Sequence, residues 1–145
     1  MTPPPRHQTL TIMRGLPGSG KSHRARRLMA RPWQIASADD FFVRHGRYEW
    51  RGSGLAQAHA WCQGVAEGLL RAGCDVVVDN TNILARHVAH YIGLAGRHGA
   101  QVRIAYSDAP WAWDPAECHR RNTHGVPLEA IESMAAKFEP FSLGL

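Results

Sequence analysis

The residues that most constrain this chain are Gly15-Leu16-Pro17-Gly18-Ser19-Gly20-Lys21-Ser22. They satisfy in full the spacing of two glycines with four residues between them, followed by Lys and then Ser or Thr. Ahead of them, Gln8 to Arg14 alternates apolar and polar side chains and is rich in β-prone residues, which predicts a strand. Behind them, Lys21 to about Ala30 predicts a helix. A glycine-rich turn at this junction lets backbone N–H groups point inward around an anion without Cβ clashes. The helix N-terminus adds partial positive charge at the same place. Lys21 is then placed to reach the outer phosphates of a nucleoside triphosphate, and Ser22 to offer its hydroxyl to Mg²⁺. The full motif with both flanks argues against a chance turn.

The remaining pattern supplies a frame for this cradle. Trp33 to Ser37 reads as a short strand, and Asp39 to Gly54 as a mixed, aromatic and basic segment punctuated by glycine. Leu55 to about Arg71 shows three- and four-residue apolar spacing and is stopped by Gly73, which predicts a helix. Cys74 to Asp79 is a strand whose valine run suits the buried centre of a parallel sheet. A helix from Leu84 to about Arg97 and a strand from Gln101 to Tyr106 follow. Pro115 to Arg121 and Pro127 to Phe138 read as helices with proline in the first helical position. Strands alternating with helices predict an α/β fold in three layers, α/β/α, with a mostly parallel central sheet. Ligands of such sheets lie beyond the carboxyl ends of the strands. Residues 1–7 read as a flexible arm and 8–145 as one domain, of a size that builds its own core.

Composition narrows the partners. The net charge is +5, and Lys21 and Lys137 are the only lysines, so the basic character is almost all arginine. Arginine's planar fork suits phosphate, and a basic balance raises the expectation of a polyanionic partner. A GC-rich genome accounts for arginine equally well. The three cysteines, Cys62, Cys74 and Cys118, are widely spaced and read as free thiols rather than a disulfide framework or metal cluster. The expected compartment is the cytoplasm, with no membrane association and no obligate protein partner.

The strand ends supply candidate chemistry. Asp39 follows the second strand, where a carboxylate can accept the proton of an attacking hydroxyl. Its neighbour Asp40 is assigned to the acceptor side, with capping of the next turn as the alternative. Asp79 ends the valine-rich strand, the place of a carboxylate that holds Mg²⁺ directly or through water. Asn80, Thr81 and Asn82 then offer hydrogen-bonding groups toward an acceptor, although Asx-type turns use the same residues. Arg120 and Arg121 end a late helix. They are either a lid that neutralises charge on a transferring phosphoryl group or two exposed cations at a helix C-terminus. Between Phe42 and Gly54, Arg44, Arg47 and Tyr48 belong to a cation–aromatic series suited to a polynucleotide. None of the nine histidines is assigned to catalysis, and His59 reads as a packing residue.

Taken in order, GLPGSGKS, SADDFF, the Tyr48 loop, VVVDNTN and RRNTHGVPLEAIESMAAKFE resemble a P-loop kinase family over roughly Leu10 to Glu139. That family includes the kinase domains of polynucleotide kinases, and the pattern is most similar to the kinase-like domain of Nedd-four-binding protein two and its short relatives. The resemblance implies a P-loop NTPase fold with a C-terminal helical lid, and ATP and Mg²⁺ as cofactors. It implies ATP and metal contacts at Lys21 and Ser22, a general base at Asp39, an acceptor-side turn at Asn80 and Thr81, and a lid arginine at Arg121. Two departures stand out. Ala38 occupies the place of an arginine before the base, leaving Arg44 to meet an acceptor phosphate. A second lid arginine is replaced within Asn122-Thr123-His124-Gly125.

The expected activity is ATP-dependent phosphorylation of a nucleic-acid hydroxyl, on DNA ahead of RNA. The acceptor is either a 5′-hydroxyl end or the hydroxymethyl group of 5-hydroxymethyluracil in DNA, the latter as in some small phage kinases. The rivals are a kinase of a nucleoside, sugar or antibiotic, and a non-catalytic ATP-binding adaptor.

Overall fold

Alternation in Thr9–Arg14 forms β1, and the glycine-rich turn after it opens into α1, Lys21–Leu28. The computed structural model describes residues 7–28, 33–44 and 54–141. It continues with β2 (Trp33–Ala36), α2 (Asp39–Arg44), α3 (Leu55–Arg71), β3 (Asp75–Asp79), α4 (Ala85–Arg97), β4 (Gln101–Tyr106), α5 (Pro115–Arg121) and α6 (Leu128–Lys137).

The strands pair in the order β2-β3-β1-β4, and every pairing is parallel. Leu10 faces Val76 across β1 and β3, and Met13 faces Asp79, so the carboxyl ends of these two strands finish side by side. From β1 the chain crosses past β3 to β2, and from β3 it crosses past β1 to β4. The two central strands therefore flank the point where a parallel sheet opens a crevice for ligands.

Side chains alternate between the two faces. Leu10, Ile12, Val76 and Val78 pack with Ala58, Cys62, Ala66 and Leu70 of α3 and Val88, Tyr91 and Leu94 of α4. Met13 and Val77 point the other way and pack with Ala25 of α1. Each aliphatic side chain buried this fully contributes about 1.5–3 kcal/mol. A third cluster joins Leu16 of the glycine-rich turn to Cys118 of α5, Val126 and Ile131 of α6. It seats the last two helices over the mouth of the crevice. The fold is thus the expected three-layer α/β/α arrangement.

Some boundaries differ from expectation. The mixed segment after β2 begins with a helix, α2, because Ser37 Oγ accepts the backbone N–H of Asp39 over 3.3 Å and Ser37 O accepts that of Asp40. Cys74 lies outside β3. It closes α3 instead, its N–H donating to Leu69 O over 3.0 Å beyond the left-handed Gly73, a Schellman stop. Pro127 is the extended N-cap of α6 rather than its first helical residue.

Arg14, to which the sequence pattern gives no role beyond β1, is wholly buried. Its Nε donates to Asn82 O over 2.7 Å, and its Nη2 to Ile83 O over 3.0 Å and Glu139 O over 2.7 Å. The Phe138 ring lies 4.3 Å from the guanidinium carbon. Carbonyl dipoles and a ring face thus replace part of the water this cation loses, while Nη1 is buried without a hydrogen-bond partner among the described residues. No described helix is long and apolar enough to cross a membrane.

Candidate active site

The glycine-rich loop is held from three sides. Gly15 N–H donates to Thr81 O over 3.0 Å, tying the loop to the turn after β3. Trp111 Nε1 donates to Gly18 O over 3.2 Å, and Ser107 Oγ to Ser19 O over 2.5 Å. Gly18 has φ +78°, and a Cβ there would lie 2.0 Å from Cys118 O. Only glycine permits both that backbone conformation and that approach. Lys21 is buried, and its ammonium bonds the loop's own Leu16 O over 3.3 Å.

Ser22 Oγ donates to Asp79 Oδ2 over 2.8 Å. The other oxygen, Asp79 Oδ1, is buried without a hydrogen-bond partner among the described residues. A hydroxyl beside a carboxylate with an unsatisfied oxygen is a hard-donor pair that fits Mg²⁺, which keeps several waters and takes its remaining ligands from phosphate. Among the described residues no three His, Cys, Asp or Glu side chains form a metal site on their own.

Asn80 closes the corner between β3 and β2. Its Oδ1 accepts Ala38 N–H over 2.8 Å, and its Nδ2 donates to Cys62 Sγ over 3.4 Å. Burial pushes the Cys62 thiol up from its ordinary value, so it remains protonated. Asn80 thereby fixes the backbone immediately before Asp39. Asp39 lines a cavity of about 330 Å³ together with Lys21, Ser22, Asp79, Asn80 and Arg121.

Arg121 enters from α5. The helix begins at Pro115, capped by Asp114 Oδ1, which accepts Ala116 N–H over 3.1 Å. The Arg121 guanidinium lies 3.6 Å over the Trp111 ring, and its Nε donates to Glu117 Oε1 over 2.8 Å. Hydrogen bonds from Arg120 and then Arg121 hold the Glu117 carboxyl down at about 2.

The residues singled out in the sequence separate into groups. Pro17, Gly18, Gly20, Lys21, Ser22, Asp39, Asp79, Asn80, Thr81 and Arg121 line the cavity. Gly15, Leu16 and Ser19 support it from beneath; Leu16 and Ser19 are wholly buried. Arg120, expected beside Arg121 at the ATP, is not among the lining residues and pairs with Glu117. Asn82, expected on the acceptor side, is 1% exposed. Its φ of 45° turns the side chain under the sheet, where Nδ2 donates to Met13 O over 2.7 Å. Asp40 is exposed and outside the lining. The Arg44 side chain, and Arg47 and Tyr48, lie outside the described residues.

The cavity also contains residues that the motifs do not single out for chemistry: Trp111, His59 and His124. His59 stacks on His87 with ring centroids 5.8 Å apart. Burial lowers its pKa, against the pull of the Asp39 charge. His124 Nε2 stands 3.8 Å from Asp39 Oδ2. The signal for His124 was its place in the stretch where a second lid arginine was missing.

A parallel sheet with a phosphate cradle at its switch point, and carboxylates on the neighbouring strand ends, makes a P-loop kinase-like fold. The chain belongs to the family described as an AAA domain, whose model matches residues 10–141. It is 37% identical over 135 residues to NEDD4-binding protein 2 from Homo sapiens, covering 91% of this chain and 8% of that protein. It superposes on a chain of a Pnkp1/Rnl/Hen1 RNA repair complex with a TM-score of 0.72 at 22% identity, covering 92% of this chain and 45% of that one. On the Mycobacterium tuberculosis APS kinase CysC, in complex with AMPPNP and APS, the TM-score is 0.55 at 25% identity, with 84% and 72% covered. The chain therefore spans less than half the length of the repair-complex chain and less than a tenth of the human relative.

Proposed function

We propose that residues 8–145 form one kinase domain that transfers the γ-phosphoryl group of ATP to a hydroxyl on nucleic acid. The observation that carries this reading is the shared cavity: the Asp39 carboxylate faces the same space as Lys21 and Ser22 of the phosphate cradle. A triphosphate bound along the loop has its outer phosphate directed toward the acceptor side. The acceptor O–H proton goes to Asp39 as the acceptor oxygen bonds to phosphorus and the bond to the ADP oxygen breaks. Lys21 and Arg121 balance the charge that gathers on the transferring group. Ser22 and Asp79 would hold Mg²⁺, which when bound neutralises charge on the β- and γ-phosphate oxygens.

The nucleic-acid acceptor is supported by the arginine-rich balance of +5 and by the likeness in fold to a chain of an RNA repair complex. The test is transfer from γ-labelled ATP to matched DNA and RNA oligonucleotides. One DNA carries a free 5′-hydroxyl, and the other a blocked 5′ end with internal 5-hydroxymethyluracil. Label on an oligonucleotide, weakening as salt rises, is the expected result. Label confined to small hydroxylated acceptors, with no salt dependence, would overturn the acceptor class. ATP binding with transfer to no acceptor would overturn the enzymatic reading.

A further inference from the structure

We propose that His124 is a positioning residue for Asp39, presented by the segment between α5 and α6. The inference rests on the reading of Asp39 as the base. The contact itself is the first observation: Nε2 to Oδ2 is 3.8 Å, with the two side chains 41% and 48% exposed. Both line the cavity that contains the phosphate cradle. At this distance the contact falls short of a hydrogen bond. A small inward movement of the segment turns it into a hydrogen bond, as catalytic contacts tighten when substrate is bound.

The segment that delivers His124 is built rather than loose. Asn122 Oδ1 accepts His124 N–H over 2.9 Å, and Asn122 Nδ2 donates to Val126 O over 3.3 Å. Gly125, at φ +72°, reverses the chain. Val126 then buries itself with Leu16, Cys118 and Ile131. The backbone that carries the ring is therefore held at both ends of a short span, one of which is seated on the glycine-rich loop.

The opposite side of Asp39 is different in kind. Its backbone is fixed by Ser37 and, through Ala38, by Asn80. These contacts set where the carboxylate starts. His59, on α3, is kept neutral by burial and stacks on His87, so it serves as a wall. His124 supplies a directional partner. Arg121 lies three residues earlier on the same stretch and lines the same cavity. One closing movement thus brings a cation to the phosphoryl group and an imidazole to the base.

Three measurements test this. In the first, His124→Ala lowers kcat about 10-fold to 100-fold, leaves the Kd for ATP and the Tm unchanged, and is partly rescued by His124→Gln, whose amide nitrogen occupies the place of Nε2. In the second, His124→Ala costs little further in an Asp39→Glu background, because the partner it served has already moved. The third needs no acceptor: Asp39→Asn shifts the ring NMR signals of His124, and adding AMPPNP with Mg²⁺ enlarges the difference. Wild-type turnover in His124→Ala, the same loss in both backgrounds, or ring signals indifferent to Asp39→Asn would each overturn the proposal. Full activity in Asp39→Asn would instead sink the base assignment on which it rests.

Discussion

Arg121 rests on Trp111, its guanidinium carbon 3.6 Å from the ring centroid, while the same indole donates to Gly18 O over 3.2 Å. One side chain thereby links the phosphate cradle to the arginine proposed to serve it. Replacing Trp111 with Leu removes both links. Cation–π contacts contribute about 0.5–2 kcal/mol, so AMPPNP should bind about 2-fold to 30-fold more weakly by calorimetry. Trp111→Phe retains the ring without the N–H and should fall between. Unchanged binding in the Leu variant would show that Arg121 does not depend on the perch.

The paired Ser22 hydroxyl and Asp79 carboxylate make a second prediction. Asp79→Asn retains an oxygen for Ser22 but loses the charge. Nucleotide binding without Mg²⁺ should be nearly unaffected, while the Mg²⁺ concentration for half-maximal turnover rises about 10-fold or more, as loss of one full charge beside a divalent cation requires. A magnesium titration of the initial rate measures this. An unaltered midpoint would remove Asp79 from the metal site.

Gly18→Ala tests the close approach of the loop to α5. The left-handed backbone alone costs an alanine about 1–2 kcal/mol, and its Cβ would lie 2.0 Å from Cys118 O. The loop must shift, pulling away from the lid helices. Thermal melting should fall by about 5 °C or more, with ATP binding lost. A variant that melts and binds normally would contradict the geometry described for this turn.

Stability should also fall on the acid side of neutrality. Burial lowers the pKa of His59, His87 and His90 below the ordinary 6.5. Each resists charging in the fold but not in the unfolded chain, so the unfolded state binds more protons. Their stabilising effect is complete above about pH 6.5 and is lost as pH drops through their lower folded values. The Glu117 carboxyl, held at about 2 by its arginines, acts in the same direction at lower pH, its stabilising effect being lost as pH falls below the ordinary carboxylate range. Tm should decline from about pH 7.5 to pH 5, and His87→Gln should flatten the decline. A Tm flat over that range would contradict the assignment.

How much of this was legible in the sequence depends on the distance over which each residue acts. The glycine-rich turn, the valine strand and the proline-led α5 follow from local rules, so residue order alone puts Lys21, Ser22, Asp79 and Arg121 at strand and helix ends. Asn82 is another matter. An asparagine in a polar turn looks available, and only its positive φ and the bond to Met13 O reveal a structural role. Arg120 and Arg121 are indistinguishable by type. Both pair with Glu117, but the helix turns only Arg121 onto Trp111 and the cavity. His124 meets Asp39 only because the start of α2 and the turn between α5 and α6, far apart in sequence, converge on one cavity. No periodicity encodes such a meeting.

The arginine buried at the end of β1 sets a limit on how this chain can be cut. A fragment stopping at Lys137 would include every residue of α6 yet discard the Phe138 ring and the Glu139 carbonyl that shelter Arg14. The cation would lose the ring that covers it and retain acceptors only from Asn82 and Ile83. Stripping partners from a buried charge costs on the order of 3–5 kcal/mol, a large share of a domain's marginal stability. The few residues beyond the final helix are thus the keel of the domain, and any excision or fusion junction belongs on their far side.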